Sequence, residues 1–74
     1  MRGNFYYQRL GKTLIRARQK RQLSQEEVAL LGDIDRTYFA RIEEGKANPS
    51  VKVLKKICKA LRVGLDKIFK NLIF

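Results

Sequence analysis

The stretch Leu23–Gly45, LSQEEVALLGDIDRTYFARIEEG, decides the fold of this chain. Its pattern predicts two short helices joined by a tight turn. Ser24-Gln25-Glu26-Glu27 has the form of a capping box, with Ser24 as N-cap and Glu27 reaching back to the Ser24 N–H. Loss of that cap should cost about 1 kcal/mol. The helix it opens runs through Val28, Ala29 and Leu31 and stops at Gly32-Asp33, where a small or left-handed-tolerant residue lets the chain turn sharply. Asp35 then caps a third helix, Arg36 to Glu44. Phe39 and Ile42, three apart, point inward, and Ile34 staples the start of the helix. Gly45 ends it in the usual position after a helix.

Outward from this segment the apolar period stays helical. A first helix is predicted from about Tyr7 to Arg21, with Leu10, Leu14 and Ala17 as its inward stripe and Ile15 beside it. Asn48-Pro49-Ser50 is a turn leading to a cap at Ser50. The fourth helix, Val51 to Arg62, buries Leu54, Ile57, Cys58 and Leu61 and exposes Lys52, Lys55, Lys56 and Lys59, and Gly64 breaks it. A fifth, Leu65 to about Leu72, carries Leu65, Ile68, Phe69 and Leu72 at 3–4 spacing, with Asp66 near its N-terminus. Five helices without a convincing strand predict an all-α fold, a single domain over residues 1–74.

Composition narrows the function. The chain has 74 residues, 45% of them hydrophobic, which suffices for one core but not for an enclosed active site of ordinary size. Cys58 is the single cysteine, so no intramolecular disulfide can form, and it is read as a small core residue. No apolar run exceeds Val28–Leu31, and the start MRGNFYYQRL lacks a signal-peptide core, so a cytoplasmic, non-membrane protein is expected. With no His, no Gly-rich phosphate loop and only adjacent, divergent acid pairs at Glu26/Glu27 and Glu43/Glu44, no enzyme activity is expected. Nor is a metal, cofactor or small-molecule ligand.

The net charge is +10, and it is unevenly spread. Residues 1–24 hold seven Lys/Arg and no acid, residues 25–45 two Arg against six acids, and residues 46–74 eight Lys/Arg against Asp66. Two basic flanks thus bracket an acidic centre, which suggests a polyanion whose phosphates the flanks touch.

The run Leu23–Phe69 resembles the XRE/Cro family of helix-turn-helix repressors, the lambda-repressor-like fold. Its matching pieces are LSQEEVA, RTYFARIEEGKANPS, LKKICKAL and VGLDKIF. DRTYF followed by IEEGKANPS is most similar to the controller proteins of restriction–modification systems, which are small, dimeric, autoregulating transcription factors. The resemblance implies sequence-specific binding of a dimer to palindromic double-stranded DNA, with RNA polymerase as a further contact. Arg36, Thr37 and Arg41 then stand at base-reading positions, chemically suited to guanine edges and the thymine methyl. Tyr38 lies beside them, either against DNA or packed on the elbow between helices two and three. Asp35 is a cap that can also accept from cytosine N4. Gln25 is expected to touch a phosphate and brace the third helix, and Lys46 and Asn48 to contact the DNA backbone. Arg18 and Glu43 match a structural ion pair. Asp33 departs from the family, which usually has Gly at the turn.

A dimer face is expected at residues 65–74, because Leu65, Ile68, Phe69, Leu72, Ile73 and Phe74 offer more apolar surface than one small core absorbs. The first three divide partly into the core and the last three fall at the interface. Two other regulators share this pattern: an antitoxin, whose toxin-binding surface would be Phe5-Tyr6-Tyr7 or the C-terminal tail, and a phage or mobile-element repressor. A protein-bridging or RNA-associated module is a further alternative.

Overall fold

Capping and the burial of a few apolar residues account for where each helix begins and ends. The computed structural model describes the backbone from Arg2 to Ile73 and the side chains from Phe5 to Leu72. It contains α1 (Arg2–Lys20), α2 (Gln25–Gly32), α3 (Arg36–Glu43), α4 (Val51–Leu61) and α5 (Leu65–Ile73), with no strand among the described residues. At α2, Ser24 Oγ accepts from the Glu27 N–H at 3.0 Å while Glu27 Oε1 accepts from the Ser24 N–H at 2.8 Å, a complete capping box. Asp35 Oδ2 accepts from the Tyr38 N–H at 2.9 Å, and Ser50 Oγ from the Val53 N–H at 3.2 Å. Each cap satisfies a backbone donor that the first helical turn leaves without a partner.

The helix ends obey a different rule. Gln22, Asp33 and Arg62 all adopt left-handed backbone, with φ of 58, 56 and 57°. In each case the next N–H reaches back into the helix: Leu23 to Arg18 O, Ile34 to Ala29 O and Val63 to Cys58 O. That is the Schellman arrangement, and Leu23, Ile34 and Val63 each pack against the core. Burying these apolar residues offsets the roughly 1–2 kcal/mol that a non-glycine residue loses in this conformation. The sequence ends α4 at Arg62 and names Gly64 as its breaker. The chain does leave the helix at Arg62, but it is the left-handed Arg62 and the inward Val63 that end it, and the Gly64 carbonyl starts α5 by accepting from the Lys67 N–H at 3.1 Å.

Two further expectations are corrected. Helix one begins at Arg2, well before Tyr7. Contacts that sequence spacing does not display support the extra turn: the Arg9 guanidinium lies 5.6 Å from the centroid of Phe5 and donates to Asn71 O of α5 at 3.0 Å. Leu31 does not belong to the apolar skeleton. It is 62% exposed and Leu30 is 82% exposed. Helix α2 is too short to bury a wide face, and it docks through Val28, Ala29 and Gly32 alone.

The core gathers Leu14, Val28, Phe39, Ile42, Ile57 and Leu61, all fully buried. Helix α1 lies between α3 and α5, α2 packs on α3 and α4, and α4 meets α5. Gly11 permits the closest of these approaches: a Cβ there would stand 2.3 Å from Glu43 O. Arg21, in the turn just after α1, ties down the end of α4, donating from Nε to Leu61 O at 3.0 Å, and so satisfies a terminal carbonyl with a cation. Cys58 is buried, and desolvation raises its thiol pKa, as suits an inert packing residue.

Candidate nucleic-acid interface

Helix α3 is amphipathic in a way that leaves one side for a partner. Phe39, Ile42 and Glu43 face inward and are buried, while Arg36, Thr37 and Arg41 are exposed. Thr37 and Arg41, four apart, share one face, and Arg36 adjoins it at the N-terminus. Asp35 is exposed, its Oδ2 taken by the Tyr38 N–H. Tyr38 is half-buried and packs against the core cluster, so part of its ring already supports the fold. The Arg41 guanidinium is drawn toward the following loop, where Nη2 donates to Lys46 O at 3.2 Å.

A carboxylate beneath this helix holds it in place. Glu43 Oε2 accepts from Arg18 Nε at 2.7 Å, and the side chains are only 2% and 16% exposed respectively. Glu43 Oε1 accepts from Arg18 Nη2 at 3.2 Å and from Gln25 Nε2 at 2.7 Å. Arg18 Nη1 also donates to Leu23 O at 2.9 Å. Three elements therefore meet on one buried carboxylate: α1 through Arg18, the start of α2 through Gln25, and the end of α3 itself. Such fork-to-carboxylate geometry fixes orientation as well as distance. The Gln25 amide keeps a second N–H for an outside acceptor.

Lys46 and Asn48 lie exposed in the loop after α3. Lys46 Nζ is 3.8 Å from a Glu44 carboxylate oxygen, an exposed and weak pairing from which a phosphate can draw it. The cations of helix one are distributed otherwise. Gln8, Gly11 and Arg18 face α3, whereas Arg9 and Thr13 face α5, and Arg16 and Lys20 open on a cleft toward it. Residues two apart on a helix are turned by about 200°, so part of the basic N-terminal flank stands behind α1, away from the exposed face of α3. Sequence reasoning treated that flank as a single phosphate-facing surface. Its division follows from α1 being a layer between two others.

At α5, Ile68 is 2% exposed and belongs to the core cluster, which removes it from any dimer face. Leu65 is half-buried against the same core. Phe69 at 36% exposure and the half-buried Leu72 border an apolar groove of about 230 Å³, shared with Tyr6, Tyr7, Pro49 and Val51. The side chain of Ile73 and all of Phe74 lie outside the described residues.

The elbow of α2 and α3, with α3 held out from the body by its C-terminal carboxylate, defines a helix-turn-helix domain. Residues 14–68 match the helix-turn-helix family. The chain is 42% identical over 65 residues to the control protein C.MunI of a Mycoplasma species, covering 86% of this chain and 88% of that one. The chain thus belongs to the helix-turn-helix family, in its branch of restriction–modification controller proteins. Its fold superposes on the controller protein C.AhdI from Aeromonas hydrophila with a TM-score of 0.83 at 32% identity, over 85% of this chain and 96% of the other. Controller protein C.Esp1396I, solved as a tetramer in complex with its 35 base-pair operator, matches with a TM-score of 0.84 at 30% identity, over 93% and 91% of the two chains.

Proposed function

We propose that this chain is a transcriptional regulator that binds duplex DNA sequence-specifically as a homodimer and controls a restriction–modification system, its own promoter included. The observation that carries this reading is the outward face of α3. Arg36, Thr37 and Arg41 stand exposed on a helix whose position is set by the Glu43 cluster. In this reading Arg36 and Arg41 take the O6/N7 edge of guanine and Thr37 the thymine methyl. Asp35 accepts from cytosine N4, and the outer edge of Tyr38 leans on the DNA. Gln25, Lys46 and Asn48 hold phosphates and set the register.

One such helix contacts too few base pairs for useful selectivity, so two copies must be joined. Phe69 and Leu72, with Ile73 and Phe74 beyond them, supply the face for the second copy. The relative solved on its operator is a tetramer there, which supports assembly of more than one copy on the DNA; in this reading RNA polymerase is a further partner.

Selection of bound duplexes from a random pool at moderate salt tests the proposal. It should return an inverted repeat with half-site centres about 34 Å apart, one helical turn. Enrichment of a single unrepeated half-site, or of no sequence at all, would reject it.

A further inference from the structure

Behind α1, on the side away from α3, a cleft of about 650 Å³ runs between the C-terminal half of α1, the α4–α5 connection and α5. Its rim carries Arg16, Lys20, Arg21, Arg62 and Lys67. Ala17 and Val63, both half-buried, lie between them. No acidic residue lines it, and none of these five cations takes part in an ion pair among the described residues. Asp66, the acid nearest in sequence, lies against Gly64 at the edge of the cleft, one carboxylate beside five cations.

Such an arrangement opposes folding, because five like charges around one concavity repel one another where low-dielectric walls concentrate their field. The chain has acids elsewhere, six of them within residues 25–45, and places none of those six here. Local disfavour of this kind is expected where a partner supplies the missing charge. The cleft is also partly organised in advance. Arg21 Nε and Nη2 are held on the carbonyls of Leu61 and Arg62 at 3.0 and 3.3 Å, and the guanidinium retains N–H groups for an outside acceptor.

We propose that this cleft binds an acidic segment of a partner protein, with carboxylates on the cationic rim and an aliphatic side chain laid on Ala17 and Val63. Duplex DNA fits it poorly. A duplex on the exposed face of α3 is separated from the cleft by α3 and α1, each about 10 Å thick with its side chains. A second duplex presents a broad convex surface, whereas the cleft is concave, of the size that takes a small molecule or a few side chains of a segment. An extended chain alternating Asp or Glu with Leu matches both the rim and the floor.

The test uses the full chain and a fluorescein-labelled peptide of alternating Glu and Leu residues, titrated at physiological salt. Lys20→Glu with Lys67→Glu should weaken peptide binding at least about tenfold. Lys52→Glu with Lys55→Glu, an equal change of net charge on the exposed side of α4, should weaken it less than about threefold. Replacing the peptide leucines by serine should also weaken it, and saturating random-sequence duplex should leave the peptide bound. Circular dichroism verifies that both variants are folded. The proposal is overturned if the two variants lose affinity equally, if the leucines are dispensable, if duplex displaces the peptide, or if no peptide binds. A tenfold loss of duplex affinity in the Lys20/Lys67 variant with peptide binding unchanged would likewise overturn it, making the cleft a phosphate-backbone surface.

Discussion

Glu43 is the residue on which the placement of α3 depends. Its carboxylate is buried and accepts three hydrogen bonds from Arg18 and Gln25. Glu43→Ala would leave the Arg18 guanidinium largely out of water and without its counter-charge, at a cost of about 3–5 kcal/mol. Urea denaturation should show that loss, and an unchanged midpoint would remove Glu43 from the frame. The exposed residues behave in the opposite sense, since little of the fold rests on them. Arg36→Ala should cost about 1–3 kcal/mol of affinity on the preferred duplex and less on others, relaxing base preference. Lys46→Ala should weaken all duplexes alike and make affinity less dependent on salt. Titrations of matched and mismatched duplexes at two salt concentrations separate the two roles. Tyr38 lies between these classes, one edge in the core and one in solvent.

Among the elements, the three left-handed helix ends share one cause. Gln22, Asp33 and Arg62 each precede an apolar residue that the core takes in, and the backbone bends so that it can enter. Gln22 is exposed and its side chain makes no hydrogen bond among the described residues. Gln22→Gly should therefore raise stability by roughly 0.5 kcal/mol, relief of the left-handed strain exceeding the added freedom of the unfolded chain. A lower melting temperature for that variant would show that the strain is absent. Helix α2 shows the complementary case. It is a short element that buries only Val28, Ala29 and Gly32 and leaves two leucines in water. Its place in the molecule is set by its caps and by α4, against which Gly32 packs so closely that a Cβ would stand 3.2 Å from Lys56 O.

For the whole molecule the governing fact is the placement of charge around a small core. A net charge of +10 attracts DNA at long range and also makes copies of the chain repel one another. A dimer must overcome that repulsion through apolar contact, for which the groove bordered by Phe69 and Leu72 is the face proposed above. Phe69→Ala with Leu72→Ala should weaken dimerisation at least about tenfold, and operator binding should weaken in parallel. Sedimentation that finds the dimer intact would move the interface elsewhere. The basic cleft lies on the opposite flank of α5, bordered by Lys67 and Asn71. A dimer formed through Phe69 and Leu72 therefore leaves the cleft open.

Much of this was legible in the linear chain. Ser24, Asp35 and Ser50 announced three helix starts, because a cap acts within four residues of itself. The 3–4 spacing of Leu54, Ile57, Cys58 and Leu61 announced a buried face for the same local reason. The exposed triad Arg36, Thr37 and Arg41 came from the resemblance to a known family, since spacing alone does not distinguish a reading face from a solvated one. What tertiary structure alone decided were the matters that depend on distant neighbours. Gly11 is required by a carbonyl 32 positions later in the sequence, Glu43 O. Arg62, and not the following Gly64, takes the left-handed conformation because Val63 has a core to enter. Ile68 is core and Phe69 is surface, although both are apolar and adjacent, because side chains one residue apart on a helix point about 100° apart and only that of Ile68 meets the packed core. The layering of the helices put some of the helix-one cations behind the domain. Local rules determine which residues start a helix; which of its faces meets water is settled only when the other helices arrive.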